Sequence, residues 1–194
     1  ARIAAALSSA APSATRELML SDALALSERI AAGLGGVVAG DPRRWHETPT
    51  RLAVAVASKD ADAARRRFAE LPEIVAMLDA DTGMTVDGVP VEIVVAPAGR
   101  FGTALVRATG SAEYVASIEP LPDAADEETV FRAAGLDHVP PELRDVVGAP
   151  VPADLVEVEA IHGDLHCHST RSTASSPRPP SSPGRQAAAS MSLR

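Results

Sequence analysis

Residues 52–57 read Leu-Ala-Val-Ala-Val-Ala, six apolar side chains in a row. Successive side chains of a strand point to opposite faces, so this segment predicts a strand buried on both of them. A strand of this kind anchors an α+β reading of the chain. Its composition also says what the core is made of. Hydrophobic residues make up 46% of the sequence but aromatic residues only 3%, which leaves Ala, Val and Leu. Alanine buries little area and stabilises correspondingly little, so a marginal fold is expected.

A hairpin follows around the turn signal Asp87-Gly88. Met84–Val86 and Val89–Val95 read as its arms and a type I′ turn as its tip. In the longer arm Val89, Val91, Ile93 and Val95 share one face, with Glu92 and Val94 on the other. Leu20, Leu24, Ala31 and Leu34 recur at helical spacing. They predict a helix over 16–33, capped by Ser13 or Thr15 and stopped by Gly33, Gly35 and Gly36. Val37–Ala39 reads as a short strand, Gly40-Asp41-Pro42 as a turn, and the segment to Thr50 as a polar loop. Asp60 and Asp62 open a helix that reaches Glu70. Short helices flank Thr109-Gly110-Ser111, residues 120–125 read as a linker, residues 126–134 as a helix, and Pro140-Pro141 starts another helical turn.

The formal net charge is −8, which argues against strong non-specific nucleic-acid binding by the whole chain. Arg65, Arg66 and Arg67 read as the solvated face of a helix. Trp45 reads as a packing residue. Cys167 is the single cysteine, so no internal disulfide is possible and a reducing, cytoplasmic setting is expected. No apolar run approaches the ~18 residues of a membrane span. The apolar stretch Ile3–Leu7 is too short for a signal peptide, and the chain reads as beginning inside a longer protein. Residues 171–194 are rich in Ser, Pro and Arg without an acidic residue. Such a segment buries too little to offset its ordering entropy and is predicted to be disordered.

Several motifs recur in a telling order. Ala39-Gly40-Asp41-Pro42-Arg43-Arg44 comes first, then Thr109-Gly110-Ser111. Glu127-Glu128-Thr129-Val130-Phe131, Ala134-Gly135-Leu136 and Val139-Pro140-Pro141-Glu142-Leu143-Arg144 follow, and Gly163-Asp164-Leu165-His166-Cys167-His168-Ser169-Thr170 ends the series. Together they resemble the bacterial X-family DNA polymerases over residues 18–170. The resemblance implies five regions. Residues 1–15 end a helix-hairpin-helix region, 16–118 form a nucleotidyltransferase-like palm, and 119–150 a truncated helical thumb. Residues 151–170 start a polymerase-and-histidinol-phosphatase (PHP) domain, and 171–194 form the tail. DNA and deoxynucleoside triphosphates are the partners it implies, with Arg43, Arg44, Thr109, Gly110 and Ser111 as nucleotide or DNA contacts. Asp41 stands where that family has Ser.

The same resemblance carries a warning. Nucleotidyl transfer in the family uses two Mg²⁺ ions held by an Asp-x-Asp pair and a third aspartate. Those positions align here with Arg51, Ala53 and Glu92. A guanidinium and a methyl replace two of the three carboxylates, so the resemblance implies a polymerase site that does not hold its metals. Glu92 reads either as a remnant catalytic ligand or as an edge-of-sheet carboxylate of no special role. His166 and His168 alternate on an expected strand and resemble the first ligands of a PHP metal site. With only two ligands, weak binding of Zn²⁺, Mn²⁺ or Ni²⁺ is the most that is expected. Ser172-Thr173-Ala174 stands where the family reads Ser-Asp-Gly, which one lost G would produce, so the tail reads as an out-of-frame translation. Two rival readings are a divergent active nucleotidyltransferase using Glu92 and a non-catalytic DNA-binding module using Arg43, Arg44 and Arg65.

Overall fold

The computed structural model describes residues 18–148, 150–152, 156 and 160–163. The chain divides into a unit of residues 1–151 and a unit of residues 152–194, and every element below belongs to the first. The expected caps Ser13 and Thr15, residues 1–15, His166, His168 and the tail lie outside the described residues.

The fold is α+β. Helix α1 (Leu20–Leu34) buries Ala23, Leu26, Ile30, Ala31 and Leu34. It starts at Leu20 with Met19 as its N-cap, four residues later than expected. Leu24 is only half-buried, so the core face is centred on Leu26 and Ile30. Gly33 lies inside the helix and does not end it. The stop is Gly35, left-handed at φ 66°, where glycine carries no Cβ penalty.

Five strands form one sheet in the order β1-β2-β5-β4-β3, with β1 at Val37–Gly40, β2 at Leu52–Ala57, β3 at Ile74–Met77, β4 at Thr82–Thr85 and β5 at Pro90–Ala96. β2 runs parallel to β5 and antiparallel to β1. As its composition demands, β2 is covered on both faces. Leu52, Val54 and Val56 pack with α1 residues and with Phe68 of α2 (Ala61–Ala69). Ala53 and Ala55 face Leu105 and Ala108 of α3 (Phe101–Thr109). The alternation of large and small side chains thus separates a thick layer from a thin one.

Asp60 caps α2, accepting from the Ala63 N–H at 2.8 Å, as expected. On that helix Arg66 and Arg67 are exposed, while Arg65 is half-buried in ion pairs with Asp62 and Asp81. The hairpin is real, but its tip is not type I′. Only Gly88 has positive φ; the Gly88 N–H bonds to the Thr85 carbonyl at 3.0 Å and the Thr85 N–H to the Val89 carbonyl at 3.0 Å. That is a three-residue connection closed by a left-handed glycine. Strand β3 has no counterpart in the sequence reading.

Helices α4 (Ala112–Ile118) and α5 (Glu127–Ala133) complete the unit, with 3₁₀ turns at Pro42–Arg44, Ala98–Arg100 and Pro141–Leu143. Asp126 caps α5 through the Thr129 N–H. Residues 120–125 do more than link, because Leu121 and Ala124 are buried with Val106, Val130 and Phe131. Among the described residues no helix is long and apolar enough to cross a membrane.

Candidate functional site

The parallel register of β2 and β5 pairs Ala53 with Glu92, and Arg51 lies one residue before β2. The three aligned positions are therefore brought together at one end of the sheet. The Arg51 Nη2 donates to Glu92 Oε2 at 3.1 Å, and its Nη1 donates to the Ala108 carbonyl at 3.1 Å. The pair is half-exposed, at 42% and 39%, so its net contribution to stability is small. Its chemical consequence is larger, because the one carboxylate of the trio already has a cation beside it. Divalent magnesium requires several hard oxygen ligands in octahedral array, and these three residues do not fit it. Among the described residues no group of three His, Cys, Asp or Glu could hold a metal ion.

The 3₁₀ turn after β1 carries the two arginines of the Gly-Asp-Pro-Arg-Arg segment, and both turn inward. Arg43 forms a two-pronged pair with Glu127, Nη1 to Oε1 at 2.8 Å and Nη2 to Oε2 at 2.7 Å, and also donates to Thr109 Oγ1 at 2.9 Å. Arg44 is buried. Its Nη2 donates to Asp41 Oδ1 at 2.7 Å, its Nη1 to the Thr109 carbonyl, and its Nε lies 2.8 Å from Asp145 Oδ1. That last contact is an ion pair whose N–H is not aimed at the oxygen.

Glu127 is shared. Arg144, with no side-chain exposure, donates from Nη1 to Glu127 Oε1 at 2.6 Å and from Nε to the Val139 carbonyl at 2.9 Å. Its guanidinium also lies 5.2 Å from the Phe131 ring centre, within cation–π range. Burial alone would raise the Glu127 carboxyl, but hydrogen bonds from Arg43 and Arg144 and their charges overcome this and hold it at about 2. Asp41 shows the same contest. Burial raises it, and the N–H groups of Arg51 and Thr50 together with Arg44 bring it below the usual carboxylate range.

Thr109-Gly110-Ser111 is likewise occupied within the protein. Thr109 accepts from both arginines. Ser111 caps α4 by accepting the Tyr114 N–H at 3.1 Å, and its own N–H donates to the Arg144 carbonyl at 3.0 Å. A Cβ on Gly110 would meet Val115 Cγ2 at 2.9 Å, which explains glycine there without invoking a ligand. Trp45 corrects the sequence reading: it is 58% exposed and left-handed at φ 58°, so it does not pack.

The structure thus brings together every expected contact residue among the described ones, and it adds Glu127 and Arg144, which the sequence offered only as parts of a thumb-like motif, and Asp145, which the sequence reading did not single out. These residues stand among other charged ones, Asp126, Glu128 and Glu142, so charge alone did not single them out. No family model matches the chain, and no curated protein matches it significantly.

Proposed function

We propose that this protein is a non-catalytic remnant of a nucleotidyltransferase-like palm with a shortened thumb, related to the X-family DNA polymerases. The observation that carries this reading is the Arg51 guanidinium bonded to Glu92, with Ala53 beside it in register. A polymerase site needs converging carboxylates there. A cation in that place opposes both metal ions, at a cost on the order of a few kcal/mol per unit charge at contact distance. DNA repair synthesis on deoxynucleoside triphosphates would be the ancestral activity, and this chain is not expected to perform it.

The neighbouring arginines support the same reading against a DNA-binding module. Arg43, Arg44 and Arg65 each lie against a carboxylate of the same chain, so a phosphate backbone would have to displace internal partners.

Primer extension in Mg²⁺ and in Mn²⁺ tests the proposal, alongside Mn²⁺ binding followed by electron paramagnetic resonance. The native protein should extend nothing and bind Mn²⁺ only adventitiously. The double variant Arg51→Asp, Ala53→Asp should bind Mn²⁺ at least tenfold more tightly. Template-dependent extension by the native protein, abolished by Glu92→Ala, would overturn the reading.

A further inference from the structure

No further inference is drawn: the strongest candidate, the exposed apolar edge of the sheet along β3 with Val75, Met77 and Leu78, carries nothing, because nothing in the structure shows what covers it.

Discussion

Trp45 is the residue most at odds with its place. It closes the 3₁₀ turn with φ 58° and ψ 30°, a left-handed backbone that costs an ordinary L-residue roughly 1–2 kcal/mol. With the ring more than half exposed, little packing offsets that cost. Glycine adopts the conformation freely but loses more chain entropy on folding, about 0.5–1 kcal/mol. The balance predicts that Trp45→Gly stabilises the protein by roughly 0.5–1 kcal/mol, measured by urea unfolding followed by circular dichroism. A clear loss of stability would mean that the ring packs after all. Hydrophobicity misled the sequence reading here. It ranks tryptophan as core, but it does not show that Arg43 and Arg44 take the inward directions and leave the next side chain outside. Arg51 and Glu92 were legible for the opposite reason. Glu92 belongs to a strand whose period of two is rigid and Arg51 directly precedes another, so the resemblance could place both.

Among elements, the tightest joint lies between α3 and the start of α5. The Gly102 N–H donates to the Ala124 carbonyl at 3.0 Å, and a Cβ on Gly102 would fall 2.2 Å from the Asp126 carbonyl carbon. In an exposed helix Gly→Ala gains about 1 kcal/mol. Here the obstruction is backbone, which cannot swing aside, so Gly102→Ala should instead destabilise by about 2–3 kcal/mol. Thermal or urea unfolding of the variant checks the sign. A gain in stability would show that α5 shifts without penalty. The helices themselves were readable because caps such as Asp60 and Asp126 stand just ahead of apolar periodicity. Strand β3 was not, since only Ile74 of its residues is buried and its pairing with β4 slips between Ile74 and Ala76. An edge strand with one inward side chain leaves almost no alternating pattern. The hairpin tip shows a further limit: Asp-Gly announces a turn, yet Gly88 alone takes positive φ, and the loop length decides which turn forms.

At the scale of the whole unit, the first 3₁₀ turn and the thumb-like segment are joined through one part-buried carboxylate. Glu127 takes Arg43 from one side and Arg144 from the other, and neither arginine reaches it through local sequence. Nothing in spacing or propensity could have paired positions that are 84 residues apart. The consequence is a definite pH dependence. The carboxyl lies near 2 in the fold against 4.5 when unperturbed, so the unfolded chain binds the extra proton first as pH falls. The stabilisation is fully present above pH ~4.5 and is lost as the pH drops toward 2, amounting to about 3 kcal/mol. Glu127→Gln should lose that increment, because it leaves the fully buried Arg144 without its counter-charge, and breaking a buried pair in this way typically costs about 3–5 kcal/mol. Urea unfolding at pH 7 and at several values between 5 and 2 checks both the size of the loss and its pH dependence. The variant should be much less stable at neutral pH, and its stability should fall less steeply with acid than that of the native protein. Equal slopes would show that other carboxylates, Asp41 foremost, carry the acid sensitivity. Equal stability at pH 7 would show that the unit does not depend on this junction.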